Sequence, residues 1–398
     1  MESLTRRAFG VASLGAALAS AGAVRPAGAS WFGNLLPGGR GMTDSGGVRL
    51  KQIASVDVPE AELVRSMAWS PDGSRLVAAS NRLNVFDTAT WNLRARFRIL
   101  VPNPGKIFGF SADGREVVAS RTNETPFSVF ETDTGKVVRD SDPFPISIAD
   151  ILGQSSIPDI LGQSELRRLW QVRDQQSLTV SPDGHYVIII LNVGGVRSNL
   201  PRPFYTFLFD SQTGRHLSTS EGVLRGLPTI SRDNRLAVEK RQGFNVPGEV
   251  EILDLPSLTS RLSFPVRLGF MRSLSWSPEG DRLASGMSDS SSPREQYDSI
   301  AIWNAMSGER IAGFASGIEP IESLVWHPGG RIILSNSAKG TGERGGLLQL
   351  LPAGGGDALF RYFASGSTLT NAPCFCPRTG RLAWNERGKI LIHEIQGL

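Results

Sequence analysis

The chain has 398 residues, with 42 Lys and Arg against 38 Asp and Glu, and 40% of its residues are apolar. Its two cysteines, Cys374 and Cys376, are too few for a disulfide-rich scaffold or a cysteine-ligated metal cluster. The near balance of charge argues against nucleic acid as a partner.

The first 29 residues have the pattern of an export signal. Residues 5–9 place two arginines before a Phe, residues 10–24 are uncharged and rich in Ala and Gly, and Ala27 and Ala29 offer the small side chains that signal peptidases need. This segment resembles the twin-arginine (Tat) signal of bacteria. We expect cleavage after Ala29 and a periplasmic or secreted protein with no membrane span in its mature form. A general secretory signal and an uncleaved anchor are the alternatives.

Residues 30–48 follow the expected cleavage site. They contain Pro37-Gly38-Gly39 and Gly46-Gly47, which favour irregular backbone over helix or strand. We predict a flexible leader between the signal and the folded domain.

A turn phrase recurs seven times after this leader. Its regular form is Ser-Pro-Asp-Gly between two short apolar runs, as in residues 70–73 and 181–184. Pro presets φ, Asp bonds back to the main chain and Gly accepts the left-handed conformation, so the phrase predicts a tight turn between two strands. The copies begin at Ser70, Ser111, Ser181, Ser231, Ser277, His327 and Cys376.

A second phrase follows most copies and ends in a polar residue, as in Val85-Phe86-Asp87 and Leu208-Phe209-Asp210. It predicts the end of a third strand, and the tight turn after it leads to a fourth. One four-stranded sheet buries too little apolar surface to fold alone, so we predict that seven such sheets stack radially as blades.

The repeat resembles those of the WD-repeat β-propellers (WD40, YVTN and TolB-like), although Trp-Asp never ends the third strand. The resemblance covers about residues 49–398. It implies an all-β fold, a single seven-bladed β-propeller of four-stranded antiparallel blades, at about 45 residues per blade.

The two ends of the propeller predict how the ring closes. The seventh unit stops after its third strand, at residues 389–395, and residues 49–57 belong to no unit of their own. We predict that this N-terminal run is the fourth strand of blade 7, which removes an open sheet edge.

Residues 141–175 are an insertion between blades 2 and 3. Apolar residues recur there at helical spacing, among them Ile160, Leu161 and Trp170, with Pro158 near a start. We predict one or two short amphipathic helices. They either dock a partner or a membrane rim, or pack their apolar stripe onto the propeller itself.

The other excess length lies between the second and third strands of blades 3 to 6, on the same face as the insertion. Long loops on one face of a rigid ring are where a propeller carries a binding site, although loops also lengthen at little cost. Arg and aromatic residues among acidic ones suit a protein surface. The candidate partner-binding residues are Arg197, Arg202, Tyr205, Arg241, Phe244, Arg294, Tyr297, Arg344, Ile160, Leu161 and Trp170.

The sequence contains no linear catalytic, nucleotide-binding or metal-binding motif. The repeat places the four histidines in four different blades, so we expect no shared metal. Cys374 and Cys376 lie on one strand face, where packing is the expected role. No catalytic, cofactor-binding or metal-binding residue is therefore predicted.

Two classes of function fit these features. The first is a non-catalytic, exported propeller that acts as a protein-interaction scaffold through its loop-rich face. The alternative is a propeller enzyme or ligand binder, quinoprotein-like or lactonase-like, whose residues converge from different blades at the mouth of the central channel. Convergent carboxylates or histidines at the axis would favour the enzyme.

Overall fold

The computed structural model shows 29 β-strands and no α-helix among the residues that it describes. Those residues are 41–44, 47–59, 64–80, 82–99, 108–120, 125–145, 175–192, 204–222, 224–240, 248–266, 270–288, 298–314, 321–337, 346–363, 373–386 and 388–398. The first two strands are β1 (Gly41–Asp44) and β2 (Arg49–Asp57).

Strands β3 to β29 form seven antiparallel sheets in chain order, which we call blades 1 to 7. Blades 1 and 2 contain β3 (Ser66–Trp69), β4 (Arg75–Ala79), β5 (Arg82–Asp87), β6 (Leu93–Arg98), β7 (Phe108–Phe110), β8 (Glu116–Ser120), β9 (Phe127–Glu131) and β10 (Val137–Asp140). Blades 3 and 4 contain β11 (Gln175–Val180), β12 (Tyr186–Asn192), β13 (Phe204–Asp210), β14 (His216–Gly222), β15 (Leu224–Ile230), β16 (Arg235–Lys240), β17 (Glu249–Asp254) and β18 (Thr259–Pro265).

The last three blades complete the ring. Blades 5 and 6 contain β19 (Phe270–Trp276), β20 (Arg282–Ser288), β21 (Ile300–Asn304), β22 (Arg310–Phe314), β23 (Ile321–Trp326), β24 (Ile332–Ser337), β25 (Leu347–Pro352) and β26 (Phe360–Phe363). Blade 7 contains β27 (Cys374–Phe375), β28 (Leu382–Glu386) and β29 (Lys389–Gln396). The first strands of neighbouring blades contact one another from β7 through β27 to β3, so they lie nearest the axis. The predicted all-β propeller of seven antiparallel blades is confirmed, with four strands in six of the blades and five in blade 6.

The N-terminal strand β2 pairs with β29 along its whole length and completes blade 7. Its bounds are those predicted for the closing strand. The preceding strand, β1, pairs with β26 and gives blade 6 a fifth strand. Part of the segment for which we predicted a flexible leader is thus paired with the propeller.

Each pair of neighbouring blades shares one cluster of buried apolar side chains, seven clusters in all among the described residues. Leu208 of blade 3 and Leu236 of blade 4, for example, belong to one cluster, and Ile392 of blade 7 and Leu76 of blade 1 belong to another. Burying one such side chain stabilises a fold by about 1.5–3 kcal/mol. Each blade therefore depends on both neighbours, and the cluster between blades 7 and 1 holds the ring shut.

The turn phrase folds as its residue types predict. The Ser70 hydroxyl donates to Asp72 Oδ1 at 2.6 Å and accepts the main-chain N–H of Arg75 at 2.9 Å, while Gly73 has a φ of 73°. The same Ser–Asp bond recurs at Ser111, Ser181 and Ser231. Because these hydrogen bonds form within the turn itself, local interactions fix its backbone conformation.

Aromatic side chains join the outer part of one blade to the next. The ring centroids of Phe97 in blade 1 and Phe130 in blade 2 are 5.1 Å apart. Those of Phe264 in blade 4 and Trp303 in blade 5 are 5.2 Å apart. Phe144, in the first residues of the insertion, has the same role, and its ring centroid lies 4.8 Å from that of Phe207 in blade 3. The rest of the predicted helical insertion, residues 146–174, lies outside the described residues.

Candidate functional site

The strand bounds define two faces of the ring. We call the side with the connections between first and second and between third and fourth strands the turn face, and the opposite side the loop face. Turn-face connections are four to seven residues long. Loop-face connections include residues 193–203, 241–248, 289–299 and 338–346 between strands, and 141–174 between blades 2 and 3. The prediction that the excess length gathers on one face is confirmed.

Most of the predicted partner-binding residues belong to these long connections and lie outside the described residues. They are Arg197, Arg202, Arg241, Phe244, Arg294, Tyr297, Arg344, Ile160, Leu161 and Trp170. Tyr205 is described: it lies on β13, is 4% exposed, and stacks on Phe207 with 6.0 Å between ring centroids. Its side chain belongs to the core between blades 2 and 3.

The inner strands carry mainly small side chains near the turn face. Two residues before each turn phrase stand Ala68, Gly109, Thr179, Thr229, Ser275, Val325 and Cys374. At Gly109 there is no room for a larger residue, since a β-carbon would lie 2.5 Å from Val180. Within the described ranges, no three His, Cys, Asp or Glu side chains come close enough to hold a metal ion.

Both cysteines pack as predicted, in the cluster between blades 7 and 1. Cys376 is 1% exposed and faces Gly73 of blade 1. Burial raises the pKa of the Cys374 thiol, and the neighbouring Cys376 raises it further. A thiol in such surroundings stays protonated and unreactive.

The placement of the histidines differs from the prediction in one respect. His185 and His216 both lie in blade 3, so the expectation of four different blades is wrong. The error arose because one histidine stands in the first turn of that blade and the other in its fourth strand. His216 Nε2 lies 2.8 Å from the Thr219 hydroxyl, and His327 and His393 lie in blades 6 and 7.

A polar group is buried between blades 6 and 7. The Tyr362 hydroxyl donates to Glu386 Oε2 at 2.8 Å, across the interface. In the same interface His393 stacks on Trp384, with 3.9 Å between ring centroids and 10° between planes. Burial lowers the pKa of His393 to about 4, so its imidazole is neutral at physiological pH. The repeat pattern gave no signal for these residues, because they occupy ordinary strand positions.

A groove of about 260 Å³ opens between the same two blades on the turn face. His327 and Thr379 line it, together with an Arg381–Glu394 ion pair whose nitrogen and oxygen are 3.1 Å apart. His327 stands where most other turns have Ser; its Nδ1 accepts the Gly329 N–H at 3.0 Å, and its ring lies 5.1 Å from Phe375. Burial lowers the pKa of His327. Sequence reasoning missed this groove because the blade 6 turn reads only as a degenerate copy of the phrase.

Comparison with known proteins agrees with the propeller. The family model described as WD domain, G-beta repeat matches residues 51–87. The match begins within β2, which belongs to blade 7, and ends with β5 of blade 1, so the sequence repeat is offset by one strand from the structural blade. No curated protein matches the chain. No helix in the described part of the chain has the length and apolar character needed to cross a membrane.

Proposed function

We propose that this protein is an exported, non-catalytic β-propeller that binds a protein partner through its loop face. The observation that carries the proposal is the asymmetry between the two faces. The turn face has connections of four to seven residues, whereas the loop face has connections of up to 34 residues. A rigid scaffold that presents long loops on one side is the usual form of a propeller's binding surface.

The composition of the loop-face connections supports a protein as the partner. Arg197, Arg241, Arg294 and Arg344 come from four successive blades, and aromatic residues stand near several of them. Arg and aromatic side chains are the residues that anchor protein interfaces, because each buries a large area and forms directional contacts. WD-repeat propellers commonly bind proteins, which agrees with this assignment.

The experiment is capture of partners from a periplasmic extract by the mature protein and by a variant lacking residues 145–168. The proposal expects one protein, in defined stoichiometry, to bind the intact chain and to be lost or weakened at least tenfold by the deletion. The matched control is Met306→Ser, which changes an exposed side chain on the turn face. Equal capture by all three proteins contradicts the loop face as the binding surface.

Export is part of the proposal and has its own test. The paired Arg6 and Arg7 before an uncharged run are the support for a twin-arginine route. Replacing both with Lys is expected to hold the protein in the cytoplasm at its full length. Unchanged export of the double variant contradicts the twin-arginine route, and cytoplasmic location of the unaltered chain contradicts export.

A further inference from the structure

The N-terminal segment ties together the outer edges of blades 6 and 7. Strand β1 is the outermost strand of blade 6, where it pairs with β26, and β2 is the outermost strand of blade 7, where it pairs with β29. Residues 45–48 join these two strands. Among the described strands, every other connection between blades runs from an outermost strand to the innermost strand of the next blade. The segment therefore bridges the interface between blades 6 and 7, which we call the seam.

Val48 anchors this bridge at the seam. It is 2% exposed and belongs to the same cluster as Leu334 of blade 6 and Leu382 of blade 7. The connection from Asp44 to Arg49 can extend to about 17 Å. Blades 6 and 7 can therefore separate at their outer edges only within this length, unless β1 leaves β26.

The seam buries polar atoms that have no hydrogen-bond partner in the described part of the chain. They include Asn336 Oδ1 in blade 6 and Trp384 Nε1 and Glu386 Oε1 in blade 7, and all three residues are at most 5% exposed. Asn336 lies on the same side of β24 as Ile332 and Leu334, whose side chains pack in this interface. A polar atom that gives up water without gaining a partner weakens the contact that buries it. Opening of the seam would hydrate these atoms, so it costs less free energy than opening of an interface between apolar side chains alone.

The packing at the seam is also interrupted at the turn face, where the groove of about 260 Å³ lies between the two blades. Strand β27, which is nearest the axis in blade 7, is two residues long. Asn336 and Glu386 stand near the loop-face ends of β24 and β28. The seam therefore has a weak point near each face, and β1 bridges its outer edge.

We propose that β1 is a strap, which holds the seam closed while it is paired with β26 and whose release lets blades 6 and 7 part and admit water to the side chains between them. An extended segment that pairs with the outer edge of β26 in place of β1 would release the strap. The device acts on the ring itself, so it depends neither on a loop-face partner nor on export.

The test measures how fast a reagent reaches a thiol placed in the seam. Leu382→Cys introduces the thiol there, and Leu236→Cys is the matched control between blades 3 and 4, where the buried side chains of the cluster are all aliphatic. Both leucines are 0% exposed, and each follows the arginine whose carbonyl closes the turn of its blade. Cys374→Ala and Cys376→Ser remove the native thiols and introduce the residue types found at these positions in blade 1. Labelling by iodoacetamide under native conditions is followed by mass spectrometry.

Each thiol is measured in chains that begin at residue 30, 39 or 46. The chain from residue 46 lacks β1 but keeps Val48 and β2, whereas the chain from residue 39 keeps β1 as well. In the chain from residue 46, labelling at position 382 is expected to be at least tenfold faster than in the chain from residue 30, and labelling at position 236 less than twofold faster. The chain from residue 39 controls for truncation itself and is expected to differ by less than twofold at both positions.

A second variant protects the test against misfolding of the shortest chain. Met42→Pro together with Thr43→Pro, in the chain from residue 30, weakens the pairing of β1, because alternate N–H groups of a strand face its partner and Pro has none. We expect at least threefold faster labelling at position 382 and less than a twofold change at position 236. An unchanged rate at position 382 in either variant overturns the proposal. So does an equal rise at positions 382 and 236 in the Pro variant, which would indicate a general loss of stability.

Discussion

Asn234 of blade 4 donates through its side-chain nitrogen to the Asp183 carboxylate of blade 3 at 2.6 Å. Asn234 also takes the place of the usual turn glycine, with a φ of 59°. Burial would raise the pKa of Asp183, but hydrogen bonds from Ser181 and Asn234 outweigh it and lower the pKa. One residue thus sets both the local turn and the contact with the preceding blade.

The two roles of Asn234 can be separated by substitution. Asn234→Gly keeps the left-handed backbone and loses only the bond to Asp183, so we expect a loss of about 1 kcal/mol in the free energy of unfolding. Asn234→Ala also forces an ordinary side chain into the left-handed region, which costs a further ~1–2 kcal/mol. Urea denaturation of the two variants measures the difference, and equal stability would contradict the backbone argument.

Gly184 shows how closely successive turns approach. Its φ is 73°, and a β-carbon at this position would lie 2.5 Å from the main-chain nitrogen of Ala112 in blade 2. Gly184→Ala should therefore lower the free energy of unfolding by about 2–4 kcal/mol. Gly354→Ala is the matched control, since nothing lies within 4 Å of its β-carbon, and it should change stability by less than ~0.5 kcal/mol. Thermal denaturation followed by circular dichroism separates the two outcomes.

In the closing strand β2, we expect substitutions at two adjacent positions to differ strongly in their effect on stability. Val56 is 7% exposed in the cluster between blades 7 and 1, while the adjacent Ser55 is exposed. Val56→Asp buries a charge without a partner, so we expect a loss of more than ~3 kcal/mol or failure to fold. Ser55→Asp should cost less than ~1 kcal/mol. Similar denaturation midpoints for the two variants would mean that β2 does not close the ring.

His393 predicts a dependence of stability on pH. Its pKa of about 4 in the folded protein is below the ordinary value of 6.5. Between pH 6.5 and 4 the unfolded chain binds a proton that the folded protein does not, so the free energy of unfolding falls as the pH is lowered through this window. The loss reaches ~3 kcal/mol at pH 4.

The variant His393→Phe tests this assignment, because Phe can retain the stacking on Trp384 but does not titrate. We expect a smaller difference between the unfolding free energies at pH 7 and pH 4.5 than in the unaltered protein. His185→Gln, at an exposed turn position, serves as the control and should keep the original difference. A pH dependence that is the same in all three proteins would exclude His393 as its source.

Local sequence signals predicted the blades and their closure. Ser70, Asp72 and Gly73 each have a residue type that the turn requires, so their repetition located the strands on either side. Arg49–Asp57 was recognisable because blade 7 lacked a fourth strand. Such inferences succeed where the structure depends on a few neighbouring residues.

The sequence did not predict which side chains face one another at the interfaces between blades. In blades 1 to 5 the third and fourth strands shift register at a bulge, next to Phe86, Arg139, Leu208, Ile252 and Ile302. A bulge changes which side chains face a neighbour without changing the alternating pattern strongly. The groove beside His327 was missed for a related reason, since residues of two neighbouring blades line it.

The most direct test of the loop-face assignment is site-specific photo-cross-linking in cells. Benzoylphenylalanine would replace Arg197, Arg241, Arg294 or Arg344 on the loop face, and Thr134, Gln212, Met306 or Gly354 on the turn face. The account predicts that one partner protein is cross-linked from at least two loop-face positions on different blades and that the same partner is not cross-linked from the turn face. Cross-links to that partner from the turn-face set alone, or none from the loop face, would contradict it.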